Sequence, residues 1–374
     1  MPSRLSIRAA LACAAALAMT AGVAGCGSGS GSDSGSSKGS EGSAISADRC
    51  AENKAAGKIT YLSGYQYQSS VSILEYIAAA KLGYFKDLCL DVTLKPGTGD
   101  TAQNTKLLAS GQATVSPISE QDVIQARANG IDITGVSSYS NSGLDILMTN
   151  KDITKLTQLD GEVVGHKGYM PATVRAMLVK AGVKYDSLKL VKQGYDPSVL
   201  PRRQGGLAAL TGFVSNEPNQ LKAAGKPVTV WQPSDFGVPG SLGAMAVNPA
   251  FAEKHPHAVE DILRAALHAY DYCTADTTKT AECVGYAADL SGPTYDKKLN
   301  TTIWNTETQI VKNSPTPGQP RGGIDTANVK GIVDMLRQFD IVSGEVTPAG
   351  AEEWFDGSFV KNIHDGDKLV WPAP

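Results

Sequence analysis

The residues best suited to recognise a small molecule follow the ends of predicted strands. Tyrosine rings offer a flat apolar face and a hydroxyl, and amides or carboxylates can bind the edge of a planar ring. In open α/β sheets, ligands bind beyond the carboxyl ends of strands, near helix N-termini. That rule selects a set of candidate binding residues: Gly64, Tyr65, Gln66, Thr98, Ser119, Tyr169, Tyr195, Asn216, Glu217, Asp235 and Phe236.

Some of these residues have a second interpretation. Glu217 begins a predicted helix, where the helix dipole favours a carboxylate whether or not a ligand is present. Tyr65, Tyr169 and Tyr195 could instead pack on the surface as loop anchors. As a binding residue, Glu217 would accept a hydrogen bond from an amino or ring N–H group, and Asn216 would offer both a donor and an acceptor.

The sequence offers little for catalysis or for binding a metal. The histidines are His166, His255, His257, His268 and His364. Only His166 lies near the predicted site, and the absence of a C-x-x-C or Cys/His cluster argues against zinc. Residues 35–39 match G-x-S-x-G within a low-complexity tract, and residues 97–102 match a dinucleotide fingerprint whose glycines suit a tight turn equally well. We therefore expect no catalytic residue, no metal and no cofactor.

Alternating strand and helix patterns position the candidate residues. Predicted strands span residues 58–63, 90–95, 113–116, 131–138, 143–149, 162–165, 188–192, 208–214 and 227–231. Predicted helices span residues 69–82, 100–111, 120–129, 171–181 and 216–224, and residues 248–359 are mainly helical. Ser69 or Ser70 is the predicted N-cap of the first of these helices. Repeated βα units favour an α/β fold with mostly parallel, helix-covered sheets.

The first 44 residues have the pattern of a signal peptide followed by a flexible tether. Arg4 and Arg8 precede an apolar run at 9–24, which is too short to span a bilayer and is typical of a signal peptide. The run ends in VAGC at 23–26, which predicts a lipoprotein signal peptide over 1–25 and lipidation of Cys26. An ordinary signal peptide with a chance cysteine is the alternative. Residues 26–44 are rich in Gly and Ser and predict a flexible tether.

Composition and charge exclude several classes of protein. The 374 residues include 34 Lys+Arg and 37 Asp+Glu, so there is no basic excess for nucleic acid. Removal of Arg4 and Arg8 with the leader takes the net charge from -3 to -5. A hydrophobic fraction of 42% excludes disorder for most of the chain, and one apolar run excludes a polytopic membrane protein.

Four cysteines remain after Cys13 leaves with the signal peptide and Cys26 takes a lipid. Cys50, Cys89, Cys273 and Cys283 allow three pairings. A bridge between Cys273 and Cys283 would close a short loop, and Cys50 would then pair with Cys89. We expect two structural disulfides, as suits an extracytoplasmic protein.

Several short segments resemble one family of ABC-importer binding proteins, which binds nitrate, sulfonates, taurine or thiamine precursors. The matching segments, in order, are AAAKLGYF at 78–85, LDV at 90–92, LLASGQA at 107–113, ARANG at 126–130, LDGEVVG at 159–165, NEP at 216–218 and VNPAF at 247–251. The resemblance runs from about residue 58 to 270 and is looser beyond. It implies a two-lobed type II periplasmic-binding-protein fold with two hinge crossovers, near Thr149 and Ala246. Lobe 1 would comprise residues 58–148 and 246–374, and lobe 2 residues 149–245.

The resemblance also implies a function. The protein is expected to be a non-enzymatic, extracytoplasmic solute-binding component, anchored to the cell membrane by the lipid on Cys26. It would act as a monomer that passes a small molecule to an ABC permease. The tyrosines with Asn216 and Glu217 favour a pyrimidine- or flavin-like N-heterocycle. An alkanesulfonate, taurine or nitrate is the alternative, but Glu217 would repel an anion and only Lys167 is placed to attract one. A secreted pyrimidine-forming enzyme is a further alternative. This sequence, however, lacks the cysteine-rich motif of such enzymes.

Overall fold

A computed structural model describes residues 44–374 of the chain. The predicted signal peptide, the lipidated Cys26 and, apart from Ala44, the predicted tether lie outside the described residues. Within 44–374, no helix combines the length and the apolar character needed to cross a membrane.

The first of two five-stranded sheets is built around the strand Lys58–Leu62. That strand runs parallel to its neighbours on both sides, whereas Met245–Val247 runs antiparallel to both of its own. In order across the sheet, the strands are Asp91–Lys95, Lys58–Leu62, Val115–Pro117, Met245–Val247 and Thr134–Ser137.

The second sheet also mixes parallel and antiparallel pairs. Leu207–Phe213 runs parallel to Val163–His166 and antiparallel to Asp145–Thr149. Across this sheet the order is Thr229–Trp231, Asp145–Thr149, Leu207–Phe213, Val163–His166 and Lys189–Lys192. Fewer strand pairs are parallel than the sequence predicted. The reason is that Asp145–Thr149 and Met245–Val247, the first strands after the chain passes from one sheet to the other, run antiparallel to their neighbours.

Helices cover both sheets, and their positions follow the predicted pattern. They are Ala47–Ala55, Leu74–Leu82, Tyr84–Asp87, Thr101–Ala109, Glu120–Ala128, Ala172–Lys180, Glu217–Ala223, Pro249–Lys254, Pro256–Thr274, Thr277–Ser291, Lys297–Asn313, Thr326–Gln338, Pro348–Glu352 and Ser358–Asn362. Two short ribbons add the strand pairs Tyr65–Gln66 with Gly97–Thr98 and His364–Asp365 with Lys368–Leu369.

The helix predicted to start at Ser69 or Ser70 begins later, at Leu74. Side-chain oxygens accept from the backbone of the preceding turn: Ser69 N–H donates to Asn300, far along the chain, and Ser72 N–H donates to Glu75 in the helix itself. Ser72 also has a positive φ of 66°, which interrupts a helix. Neither predicted serine therefore acts as the helix cap.

The chain passes between the two sheets through two segments that pair with each other. Tyr139 N–H donates to Leu242 O at 2.8 Å, and Leu242 N–H donates to Ser140 O at 3.0 Å. Gly143 and Gly240 allow the closest approach, since a Cβ on Gly240 would lie 2.8 Å from Gly143 N. Strand Asp145–Thr149 already belongs to the second sheet, so we propose lobe boundaries within 138–144 and 238–244 instead of near Thr149 and Ala246.

Each sheet has its own apolar core. The first packs against the long helix Pro256–Thr274, which contributes buried residues along most of its length. The second core includes Val164 and Val174 together with Val329 and Ile332 of helix Thr326–Gln338. This late helix, which the predicted division assigns to lobe 1, thus shares an apolar cluster with the second sheet, and the helices it contacts are Glu120–Ala128 and Pro348–Glu352.

Both expected disulfides are formed. Cys50 is bonded to Cys89 and Cys273 to Cys283. The first joins helix Ala47–Ala55 to the approach of strand Asp91–Lys95, and the second joins two consecutive helices. The pairing is the one preferred from the sequence.

Candidate functional site

The ribbon after the first strand presents Tyr65 at the edge of the first sheet. Tyr65–Gln66 pairs with Gly97–Thr98, and Ser63 Oγ accepts from Gly97 N–H at 2.9 Å. A Cβ on Gly97 would lie 1.9 Å from the Ser63 carbonyl oxygen, so this backbone approach requires glycine. Gly99, at φ +91°, lies directly against the Tyr65 ring. The glycines of 97–102 therefore serve the turn that places Tyr65.

The second sheet presents three aromatic or charged groups opposite Tyr65. Lys167 Nζ lies 5.6 Å from the centre of the Tyr195 ring and 5.3 Å from that of Phe213. The Tyr195 ring in turn lies 6.5 Å from the Tyr65 ring, tilted by 33°. Residues from both sheets therefore meet in one place, at the strand ends that the sequence rule selected.

Large aromatic side chains at this place are unusually exposed. Tyr65 is 41% exposed, Phe213 45%, Tyr195 65% and Tyr169 68%. Exposed apolar surface of this kind costs free energy in water, and grouped aromatic rings are typical of a binding site. We take these four residues as the aromatic group of the site.

Glu217 holds the second-sheet side of the site in place. It is buried, forms an ion pair with Lys167, and its Oε2 accepts from Phe213 N–H at 2.7 Å. Gly212 leaves room for this carboxylate, because a Cβ there would lie 2.9 Å from Glu217 Oε2. Both oxygens of Glu217 are thus engaged by the protein, and they fix Phe213 and Lys167.

Two carboxyl groups lie beside the aromatic group. Asp122 accepts from Ser119 Oγ at 2.8 Å, and Asp145 accepts from Thr173 Oγ1 at 2.9 Å. Burial raises the pKa of Asp145 to about 6, with a further contribution from the charge of Asp122. Burial also raises the pKa of Asp122. The pKa of the Tyr169 hydroxyl is raised by surrounding protein atoms and then by the charges of Asp122 and Asp145, which places this tyrosine near both.

Several predicted binding residues form hydrogen bonds within their own turns or helices. Thr98 Oγ1 and Ser119 Oγ bond within their own turns, Ser119 as the N-cap of helix Glu120–Ala128. Asn216 is turned into its own helix, where Oδ1 accepts from Gln220 at 2.8 Å. Gly64 and Gln66 lie in the ribbon, where Gln66 has a φ of 43°.

Asp235 and Phe236 lie on a turn next to Asp145, since Pro233 and Ser234 of that turn line a small pocket together with Asp145 and Thr173. They belong to the 3-10 turn Pro233–Phe236, which packs on helix Ala172–Lys180, and the Phe236 ring lies against the second core. A cavity of about 580 Å³ is found nearby, between this turn and helix Thr326–Gln338. Its lining includes Ser234 and Lys180 and none of the aromatic group.

Sequence reasoning missed Asp122, Asp145 and Phe213. Asp145 begins its strand, so a rule that selects carboxyl ends passes over it. The strand is antiparallel, however, and Asp145 pairs with Phe213, the last residue of the neighbouring strand. The start of one strand therefore shares an edge with the end of the other. Strand direction is the signal that could have found it.

The site contains little that resembles catalytic or metal-binding chemistry. His166, the histidine predicted nearest the site, accepts from Gly168 N–H at 3.2 Å through Nδ1, and burial lowers its pKa. Across 44–374, no group of three or more His, Cys, Asp or Glu side chains is arranged to hold a metal.

Comparisons with known proteins agree with this architecture. The family model described as "NMT1/THI5 like" matches residues 70–279. The formylaminopyrimidine-binding protein of Halalkalibacterium halodurans is 25% identical over 301 residues, which cover 77% of this chain and 87% of that protein.

Solved structures show the same fold at low sequence identity. The periplasmic aliphatic sulphonate-binding protein SsuA of Escherichia coli has a TM-score of 0.58 and 15% identity, over 84% of this chain and 94% of that one. The periplasmic nitrate-binding protein NrtA of Synechocystis has a TM-score of 0.59 and 12% identity, over 82% and 87%. The chain thus has the periplasmic-binding-protein fold and belongs to the NMT1/THI5-like family.

Proposed function

We propose that this protein is the extracytoplasmic solute-binding component of an ABC importer and that it captures an amino-bearing N-heterocycle of the pyrimidine class. The observation that carries the proposal is the aromatic group beside Asp122 and Asp145, where the edges of the two sheets meet. The similarity to a protein named for formylaminopyrimidine binding supports the same ligand class.

The aromatic group suits a planar ring. Tyr65 comes from the first sheet and Tyr195 from the second, and a heterocycle could stack on either ring by offset or edge contacts. A bound ring would also remove the exposed faces of Tyr169 and Phe213 from water. A flavin-like ring system has the same chemistry and belongs in the same test.

The charges favour a ligand that donates hydrogen bonds. Asp122 and Asp145 offer carboxylate oxygens to amino or ring N–H groups, which are strong, charge-assisted partners. Lys167 is the cation beside the aromatic rings, and it is already paired with Glu217. An alkanesulfonate, taurine or nitrate would therefore meet more negative than positive charge here.

The fold supplies a means of capture. The paired segments at 138–144 and 238–244 connect the sheets, and rotation about them would open and close the site as a hinge. A lipid on Cys26, with the Gly/Ser-rich tether over 26–44, would hold the protein near its permease as a monomer. Mass spectrometry of the purified protein tests the lipid directly, since an unmodified Cys26 contradicts it.

A thermal-shift screen of the full-length protein tests the ligand class. The panel contains formylaminopyrimidine, other aminopyrimidines, flavins, taurine, alkanesulfonates and nitrate. We expect the melting temperature to rise with the aminopyrimidines, because a ligand that binds the folded state stabilises it. A rise confined to sulfonates or nitrate contradicts the proposed class.

The same complex separates a binding protein from an enzyme. After denaturation, mass spectrometry should recover the pyrimidine unchanged. Recovery of a chemically altered compound would identify an enzyme on this scaffold instead.

A further inference from the structure

A buried carboxylate outside the site joins the two sheets. Glu307, on helix Lys297–Asn313, is 1% exposed. Its Oε2 accepts from Ser70 Oγ at 2.5 Å and from Val71 N–H at 2.7 Å, whereas its Oε1 accepts from Ser215 Oγ at 2.7 Å. Ser70 and Val71 follow the ribbon of the first sheet, and Ser215 follows a strand of the second.

The donors lie next to the binding residues on both sides. Ser215 is two residues from Phe213 and two from Glu217, which together form the second-sheet wall of the site. Ser70 lies five residues after Tyr65. Glu307 thus bonds to segments that lie next to the binding residues of both sheets, and it is not itself part of the aromatic group.

The helix that carries Glu307 is fastened to the first sheet's side. Ser69 N–H donates to Asn300 at 2.9 Å, and Ser69 Oγ bonds to the Tyr295 hydroxyl at 2.7 Å. On the side of the second sheet, Glu307 of this helix accepts from Ser215, and Thr306 Oγ1 accepts a longer bond of 3.4 Å from Asn219 Nδ2. We expect this helix to stay with the first sheet when the site opens, which would break the bond from Ser215 and keep those from Ser70 and Val71.

We propose that Glu307 is a positioning residue for ligand capture, which fixes the wall at 213–217 against the first-sheet side through Ser215. The inference rests on the proposed function, since it concerns closure around the same ligand. A buried carboxylate that loses a donor is penalised, so the Ser215 bond favours the closed arrangement. A ligand that binds the closed arrangement gains affinity in proportion to its population.

Two serine variants of the full-length protein separate this role from a structural one. Ser215→Ala removes the bond between the sheets, and Ser70→Ala removes a bond to the same carboxylate within one side. The probe is formylaminopyrimidine, titrated by calorimetry. We expect Ser215→Ala to weaken its binding about tenfold. Ser70→Ala should leave affinity near that of the wild type.

The carboxylate itself provides a rescue test. Glu307→Gln keeps the shape and one acceptor oxygen, and its amide can donate to the Ser215 hydroxyl. It should retain much more affinity than Glu307→Ala. Thermal melts report folding separately, so a variant that merely loses stability is recognised. Equal affinity for Ser215→Ala and wild type would overturn the proposal, as would an equal loss in both serine variants.

A distance measurement decides the inference even if the ligand is another compound. Spin labels at Lys106→Cys and Lys222→Cys, both exposed, would report the separation of the two sides by pulsed EPR. Without ligand, Ser215→Ala should broaden the distances toward longer values and Ser70→Ala should not. If wild type fails to bind the pyrimidine, the proposed ligand is wrong, and an unchanged distance in Ser215→Ala separately overturns the role of Glu307.

Discussion

The proposed ligand site exposes aromatic side chains, which are usually buried, whereas the interior of the first-sheet region buries carboxyl groups, which are usually exposed. At the site, Tyr169 and Tyr195 are more than 60% exposed. In the interior, Glu75 and Glu120 are fully buried. Exposed aromatic rings gain from a ligand that covers them, and buried carboxyl groups require donors from the protein. The comparison therefore predicts binding defects without loss of stability at one region, and stability defects at the other.

The largest effect is expected at Glu217, a buried carboxylate on the second-sheet side of the proposed site. Glu217→Gln keeps the side-chain shape but leaves Lys167 without its anionic partner. Breaking a buried pair in this way should cost about 3 kcal/mol of unfolding free energy. It should also weaken pyrimidine binding more than tenfold, because the one oxygen of the amide cannot hold both Lys167 and the Phe213 N–H. Urea unfolding and calorimetry measure the two effects, and unchanged affinity would remove Glu217 from the site.

Removal of one acceptor should reduce affinity strongly with little effect on folding. Asp145→Asn replaces a carboxylate that we expect to accept from the ligand's N–H groups. A charge-assisted bond of about 2 kcal/mol corresponds to roughly 30-fold weaker binding of formylaminopyrimidine. Asp152→Asn, at an exposed position whose carboxylate pairs with Arg203, is the matched control and should bind as wild type. Equal affinities for the two variants would contradict this role.

The buried acids should make stability depend on pH. Burial raises the pKa of Glu120 to about 8, so the folded protein keeps a proton that the unfolded chain releases above its ordinary pKa. Stability from this group is therefore present at low pH and is lost as pH rises from about 4.5 to about 8. Glu120→Gln should flatten the pH profile of the unfolding free energy over this range, by on the order of 1.4 kcal/mol for each pH unit.

Denaturant melts from pH 5 to pH 8 measure this change. Glu253→Gln, at an exposed position, is the control and should leave the profile unaltered. A profile for Glu120→Gln that parallels wild type would show that Glu120 is ionised throughout.

The smallest effect is expected from a single ring. Tyr195→Ala should weaken pyrimidine binding by about 1 kcal/mol, or roughly fivefold, through lost stacking. Its unfolding free energy should change by less than about 0.5 kcal/mol, because the ring is mostly exposed. Leu290→Ala removes an exposed apolar side chain elsewhere and should not alter binding. A marked loss of stability in Tyr195→Ala would show that the ring packs as an anchor.

Local patterns were sufficient to predict most elements, and the place of the site stays a prediction. The strand predicted at 90–95, the helix predicted at 100–111 and the bridge between Cys273 and Cys283 each depend on residues near one another, and the structure confirms them. The start of helix Leu74–Leu82 was predicted too early because its preceding turn is bonded to Asn300 and Glu307, far along the chain.

Long-range pairing explains what the sequence left open. Asp145 joins the site because its strand runs antiparallel to Leu207–Phe213, and no local pattern gives that direction. Phe236 packs partly against the second core, and its place at the site stays a prediction. The same aromatic residue type suits either place, and only packing decides between them.

Calorimetric titration of wild type and Asp145→Asn with formylaminopyrimidine tests the central claim most directly. We expect one binding site per wild-type molecule and roughly 30-fold weaker binding by the variant. No binding of the pyrimidine by wild type, with saturable binding of an alkanesulfonate or nitrate instead, would contradict it.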